Sequence, residues 1–372
     1  MRVVSLFSGI GGFEAGFAKA GFKTVLMCES DPTARAVLEK RFPEIDVRKD
    51  VTRMRTLPGC EILTAGWPCQ DLSQAGRTAG VSGNRSSLVS EVFRLLRASP
   101  RKPEFVVLEN VAFALHLQKG KAISFVTDQL EDLGYRWAYR ILDSRHFGLP
   151  QRRRRLFVVG SLSRNPSDII FDGFDNGFDT WPTSKSKYGF YWTEGNTGIG
   201  WSPGAIPPLK GGSGLSIPSP PAIWEVEKRN FVIPGIRDAE RMQGFASGWT
   251  KTDDDSPRGE RSRWRMVGNA VSVPVAEWLG KRIKSEATVE DIKSIKSTKS
   301  ANAGMGGPNE QSQSLLVSES PTKPRHVTLD EFDLRCPSPL SQRAALGFFD
   351  RVTNSSLRAD KNFVRDLRDY IR

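Results

Sequence analysis

Cysteine and histidine are scarce: the chain has four Cys (Cys28, Cys60, Cys69, Cys336) and three His in 372 residues. So few cysteines exclude a disulfide scaffold and fit a reducing compartment. Without a Cys-x-x-Cys pair or a His-rich cluster, no metal site is expected. No apolar run approaches the roughly 18–20 residues that a bilayer span needs, so a membrane-spanning chain is not expected. Met1–Phe7 runs straight into an apolar segment without the long apolar stretch and small-residue cleavage site of a signal peptide, and a cytoplasmic location is expected. No Gly-Lys-Ser/Thr follows a glycine-rich turn, which excludes a Walker phosphate loop. Acidic residues are in deficit. Fifty-four Lys and Arg face 42 Asp and Glu, a net charge of +12. That surplus suits an anionic partner, nucleic acid first, although a basic soluble protein without such a partner stays open on charge alone.

The length allows two domains. Residues 1–160 alternate short apolar runs with amphipathic stretches. The pattern predicts strands at Val3–Phe7, Thr24–Cys28, Asp46–Lys49, Glu61–Ala65, Phe105–Leu108 and Leu156–Gly160. Helices are predicted at Phe13–Ala20, Pro32–Arg41, Leu88–Arg97 and Ala122–Leu133. Such alternation implies an α/β fold with a parallel sheet covered on both faces. Residues 161–261 are rich in Gly, Pro, Ser and aromatics, with one helical period at Ile236–Phe245, and read as a smaller loop-rich domain. Residues 262–284 return to the first pattern, with a short strand at Ala270–Pro274 before a helix, and complete the first domain. The Lys/Ser/Asn/Gly/Gln stretch 285–325 reads as a flexible linker. Residues 326–372 read as a small helical appendage.

Phe7-Ser8-Gly9-Ile10-Gly11-Gly12 follows the first strand and opens a helix, so the backbone can turn tightly against a ligand. Glu29 ends the second strand, where a carboxylate can accept ribose hydroxyls, and Asp50 follows the third, within reach of an adenine amino group. The dinucleotide spacing Gly-x-Gly-x-x-Gly fails, because Gly16 comes late. A nucleoside cofactor without a diphosphate is favoured, and S-adenosylmethionine fits; an ordinary tight turn is the alternative.

Gly66-Trp67-Pro68-Cys69-Gln70 follows the fourth strand, where α/β folds place reactive groups. Cys69 is a candidate nucleophile there, on a loop that continues through Leu72-Ser73-Gln74-Ala75-Gly76. The plain alternative is a buried Cys acting as a small hydrophobe, to which the other three cysteines are assigned. Glu109-Asn110-Val111 ends the next strand. Its apolar approach implies a partly desolvated carboxyl able to keep a proton. In Gln151-Arg152-Arg153-Arg154-Arg155, period two puts Arg153 and Arg155 on one side, able to grip a carbonyl or phosphate unless the run is only a solvated face.

Together these segments resemble the cytosine-5 DNA methyltransferases of bacteria, over about residues 1–160 and 236–284 and in family order. Arg241-Met242-Gln243-Gly244-Phe245 and Gly268-Asn269-Ala270-Val271 complete the set. The resemblance implies a Rossmann-like S-adenosylmethionine-dependent methyltransferase sheet over 1–160, completed by 262–284, with a target-recognition domain at 161–261. It makes Cys69 the nucleophile and Glu109 its partner acid, with Arg153 and Arg155 lining the cytosine pocket. The implied cofactor contacts are Phe7, Ser8, Gly9, Gly11, Gly12, Glu29, Asp50, Val51, Gly66, Pro68, Asn269 and Ala270. Ser73, Arg77, Arg85 and Gln243 are the candidate DNA contacts, with Lys185, Lys187, Lys210 and Arg229 as further basic candidates in the recognition domain. Arg241–Phe245 would brace that domain. Two departures stand out: Asp238 where the family has Glu, and Ser30 where it often has an aromatic. Ser216-Ile217 stands in for its Thr-plus-aliphatic recognition pair. The implied substrate is duplex DNA, methylated by a monomer whose cellular counterpart is a restriction endonuclease. A transfer-RNA cytosine-5 methyltransferase and an inactive DNA-binding homologue are the alternatives.

Overall fold

The computed structural model describes residues 1–67, 88–175, 181–182, 184–193, 198–211, 219–253, 256–289 and 301–372. The chain divides into two compact units. The first comprises Met1–Asp143, Arg154–Asp179 and Val271–Pro324; the second comprises Ser144–Arg153, Thr180–Ala270 and Arg325–Arg372.

The first unit is built on one sheet. Its strands are β1 (Arg2–Leu6), β2 (Lys23–Cys28), β3 (Asp46–Arg48), β4 (Ile62–Gly66), β5 (Phe105–Val111), β6 (Arg136–Asp143) and β7 (Arg154–Ser161). They lie in the order β6-β7-β5-β4-β1-β2-β3, with a hairpin of Ala303–Gly306 and Gln313–Leu315 added beside β6. From β3 to β5 all pairs are parallel. The pairs made by β7 and by the added hairpin are antiparallel, so the sheet is mixed rather than wholly parallel. Strand β1 is buried along all but its first residue, as expected of a strand covered on both faces. The chain runs outward from β1 to β3, then returns to β4 on the other side. The switch in strand order therefore falls between β1 and β4, where α/β sheets place their ligands.

Helix α1 (Gly12–Lys19) packs on the helix Val273–Lys284. Gly12 and Gly16, one turn apart on α1, make room for that contact. A methyl group at Gly12 would strike the Val271 carbonyl, and one at Gly16 would stand 2.5 Å from the Ala276 Cβ. The late glycine that breaks the dinucleotide spacing thus serves helix packing. Helix α2 (Pro32–Arg41) starts as its sequence dictates. Asp31 accepts from the Thr33 and Ala34 amides at 2.9 and 3.0 Å, and Pro32 fills the first turn.

Part of the expected linker is folded. Within 301–324, Ala303–Gly306 pairs along β6. The Asn302 side chain clasps Val317, donating to its carbonyl at 2.8 Å and accepting from its amide at 2.9 Å. Gly304 and Gly306 lie on the stacked rings of Tyr139 and Trp137, where a Cβ would come within 2.6 and 2.7 Å of ring carbons. These small residues look like linker composition but are what lets a strand run over two aromatic rings. The domain boundaries shift as well. Residues 161–175 stay with the first unit, whereas Ser144–Arg153 and 262–270 belong to the second. The strand expected at Ala270–Pro274 is replaced by a break between the helices Pro257–Asn269 and Val273–Lys284.

The second unit carries an antiparallel five-stranded sheet in the order Ser338–Pro339, Asn230–Ile233, Ala222–Glu225, Lys187–Phe190, Ser202–Pro203. Its core joins Phe190, Trp224 and Phe231 of the sheet to Phe348, Phe363 and Leu367 of the helices Gln342–Thr353 and Lys361–Ile371. The C-terminal segment is therefore no appendage. It supplies an edge strand and half of this core.

Candidate active site

At the carboxyl end of β1 the chain enters the glycine turn through Phe7, whose φ of 55° is left-handed. Ser8 donates its amide to the Cys28 carbonyl at the end of β2 (3.1 Å), which ties the turn to the neighbouring strand. Glu29 strengthens that tie: its carboxylate accepts the Gly9 amide and the Asp31 amide, both at 2.8 Å. Burial pushes the Glu29 carboxyl up, and these two amides oppose the shift. Arg35 of α2, not singled out in the sequence, donates to the Ser30 carbonyl at 2.6 Å and fixes the same loop. Its signal is weak, an arginine one helical turn beyond the Asp31 cap.

Beyond β1, β2 and β3 lies a cavity of about 520 Å³, lined by Phe7, Ser30, Arg35, Asp50 and Val51 among others. That volume falls in the roughly 300–1,000 Å³ range of small-molecule sites. Asp50 is held at the mouth by the Thr52 hydroxyl (2.7 Å) and amide (2.9 Å), and these bonds pull its carboxyl down. It stays ionised and able to accept.

On the other side of the switch point, Glu109 lies near the end of β5, in register with Gly66 of β4. Its carboxylate meets Arg155 of β7, Oε1 to Nε at 3.2 Å, with both side chains largely buried. A methyl group at Gly66 would stand 3.5 Å from the Glu109 Oε2 and 3.9 Å from the Phe7 carbonyl. The glycine turn, Gly66 and the Glu109–Arg155 pair are therefore neighbours across adjacent strand ends. Asn110 donates to the Trp67 carbonyl at 3.1 Å and anchors the chain where it leaves β4. Pro68, Cys69, Ser73, Arg77 and Arg85 lie outside the described residues, as does Ser216-Ile217.

Two expected site residues have other work. Arg153 is 1% exposed and donates to the carbonyls of Leu209 (3.0 Å), Gly268 (3.1 Å) and Ala270 (2.8 Å), all within the second unit. It braces loops of the second unit, and the chain crosses between units at this point, since Arg154 begins β7. Gln243 is wholly buried and donates to the Val267 carbonyl at 3.0 Å, which removes it from the DNA contacts. Asn269 and Ala270 end the helix Pro257–Asn269 and fall in the second unit. Asp238, in place of the family's Glu, is buried, pairs with Arg241 at 3.1 Å and accepts the amides of Arg335 and Cys336, each at 3.0 Å. Among the basic candidates, Lys187 donates to the Leu329 carbonyl and the Lys210 ammonium sits 4.0 Å over the Tyr191 ring. Lys185 and Arg229 are exposed. Among the described residues no group of three or more His, Cys, Asp or Glu is placed to hold a metal, and no helix is long and apolar enough to cross a membrane.

The family model for C-5 cytosine-specific DNA methylase matches residues 1–189. Type II methyltransferase M2.BsuMI of Bacillus subtilis is 41% identical over 99% of this chain and 97% of its own length. The chain belongs to the C-5 cytosine-specific DNA methylase family. Type II methyltransferase M.FnuDI of Fusobacterium nucleatum is 27% identical over 80% of this chain and 97% of its own length. The S. pombe Dnmt2 methyltransferase structure overlays with a TM-score of 0.56 at 16% identity, covering 76% of this chain and 98% of that one. Structural likeness at that identity speaks for the fold alone: a large mixed central sheet with helices.

Proposed function

We propose that this methylase transfers a methyl group from S-adenosylmethionine to carbon 5 of a cytosine in double-stranded DNA, as the modifying partner of a restriction endonuclease. The observation that carries the reading is the buried Glu109–Arg155 pair set beside Gly66 and the glycine turn. The cofactor fits the residues present. The cavity at Phe7 is of ligand size, Asp50 is an ionised acceptor at its mouth, and the turn lacks a diphosphate spacing. Phe7, Ser8, Gly9, Gly11, Gly12, Glu29, Asp50, Val51, Gly66 and Pro68 would hold it. When bound, it supplies an electrophilic methyl group.

Carbon 5 of cytosine is a weak nucleophile until electron density is added to the ring. The Cys69 thiolate adds to carbon 6, forming a covalent bond and placing negative charge toward nitrogen 3 and the carbonyl at carbon 2. Glu109 provides a proton or hydrogen bond at nitrogen 3, and Arg155, which also fixes Glu109, meets the carbonyl oxygen. Once carbon 5 carries the methyl group, loss of its proton to a base expels Cys69. The target base must leave the stack, at a cost of a few kcal/mol recovered by phosphate and pocket contacts. Arg77 and Arg85 are the proposed contacts to the backbone phosphates.

DNA carrying 5-fluorocytosine tests this directly, because fluorine cannot leave as a proton. With cofactor present, the enzyme is expected to stall as a denaturation-resistant adduct on duplex DNA and not on transfer RNA. Absence of an adduct on DNA, or an adduct formed on transfer RNA alone, overturns the reading. A second expectation concerns Glu29. Glu29→Ala frees the Gly9 amide and loosens the turn, so the cofactor dissociation constant should rise about tenfold, the loss expected of one hydrogen bond to a charged group. DNA affinity should change far less. Calorimetric titration with cofactor, set against a DNA-binding assay, checks this, and equal losses in both would argue against the role.

A further inference from the structure

The second unit holds a cleft of about 710 Å³ between its sheet and the start of the helix Lys361–Ile371. Its floor is aromatic. Tyr188 and Trp224 face each other in register on neighbouring strands, with ring centres 5.4 Å apart. Trp201 lies 4.9 Å from Tyr188 at an interplanar angle of 24°. Phe363 closes one side edge-on against Trp201 and Trp224. Tyr188 and Trp201 remain only half-buried, while Trp224 is buried and its indole N–H has no acceptor among the described residues.

The rim sorts by charge. Asp366 is paired with Arg365 at 3.2 Å, and Asp360 accepts the Asn362 and Phe363 amides as a helix cap. Lys185 and Arg229 are exposed, and their side chains have no hydrogen-bond or ion-pair partner among the described residues; Glu227 and Asp360 are the exposed acids of the same rim. The cleft thus offers the half-buried Tyr188–Trp201 pair to a flat ligand and the Lys185 and Arg229 cations to an anion. Stacking plus a cationic rim is how unpaired nucleotides are held.

We propose that this cleft binds an unstacked nucleotide of the DNA strand, its base on Tyr188 and Trp201 and its phosphate at Lys185 and Arg229. The site rests on DNA being the substrate and shares no residue with those proposed to act on the cytosine. Arg229 provides an unusual test. Its φ of 48° is left-handed, a conformation that glycine adopts without strain, so Arg229→Gly removes the charge while easing the fold.

The experiment titrates the full chain with a single-stranded tetranucleotide containing 2-aminopurine, at several salt concentrations. The parent chain should quench the fluorophore saturably. Lys185→Ala with Arg229→Gly should weaken binding about tenfold and lower the slope of log K against log salt by roughly 0.7, one single-strand phosphate. Trp201→Leu should reduce the quenching of bound oligonucleotide. No quenching by the parent, or an unchanged affinity and slope in the rim variant, overturns the inference. Methyl transfer by the parent chain to duplex DNA, measured alongside, separates the two readings: its absence strikes the proposed activity, not the cleft.

Discussion

Cys69→Ser is expected to bind duplex DNA within a few-fold of the parent chain and to transfer essentially no methyl. The reaction needs a thiolate, and a hydroxyl in the same place is neither ionised at neutral pH nor comparably nucleophilic. The expected loss is on the order of 10⁴-fold or more, as when a protease loses its nucleophile. The remaining cysteines are disqualified by their surroundings. Burial pushes the Cys28 thiol up to about 12, helped by the nearby charges of Glu29 and Asp50. Cys60 is pushed up to about 11, again by burial first. Cys336 is raised by burial and by its contact with the Asp238 carboxylate. At neutral pH these three stay protonated, so Cys28→Ala and Cys60→Ala should leave adduct formation on 5-fluorocytosine DNA intact. Incorporation of labelled methyl into DNA, with a gel-shift assay in parallel, reads both sides. Near-normal methylation by Cys69→Ser would sink the assignment.

The residues legible in the sequence are those whose job follows from their place on a single strand or cap. Pro32–Arg41 is read to the residue because Asp31 and Pro32 announce a helix start. Glu29 and Glu109 are read because a carboxylate closing an apolar run at a strand end has few structural uses. What escapes notice depends on partners far away in sequence. Strand β6 is buried beyond its first residue and carries Arg, Trp and Tyr, so it shows neither alternation nor a plain apolar run. Arg153 sits in a run of four arginines, where period two assigns it to the same side as Arg155. Only the fold shows that its guanidinium is spent on three carbonyls, one 56 residues away and two 115 or more. Gln243 is bonded to a carbonyl in the same way. Main-chain acceptors have no side-chain identity and leave no mark in a sequence. The hairpin at 303–315 fails for the opposite reason: Gly, Ser and Asn carry the composition of a linker while packing on Trp137 and Tyr139.

Arg140 carries that hidden logic furthest, and Arg140→Leu is expected to be the most destabilising single change in the first unit. The side chain is wholly buried on β6. Its Nε donates to the Ser318 carbonyl at 2.8 Å. Nη1 donates to Ile170 (2.9 Å) and Asp172 (2.8 Å), and Nη2 to Gly173 (3.1 Å) and Ser320 (2.8 Å). Five donors thus meet five carbonyls from two separate segments, 170–173 and 318–320, and Arg alone has five. Burial pushes the guanidinium down to about 9, with Asp172 and Glu319 opposing the shift, so it keeps its charge at neutral pH. Leucine fills much of the volume but leaves five carbonyls without a donor, each costing about 1–3 kcal/mol if it stays dry. Relaxation and water entry reduce the sum, and a net loss on the order of 4 kcal/mol is expected, similar to breaking a buried ion pair. For a unit of this size that corresponds to a fall in Tm of roughly 8–16 °C. Arg140→Lys, with three donors on one nitrogen, should fall between the two. Because the clamp holds 318–320 against 170–173, limited proteolysis should cut the 301–324 segment first. An unaltered Tm together with an unaltered cleavage rate in Arg140→Leu would show that these carbonyls find other donors and that the hairpin is held by its strand pairing with β6.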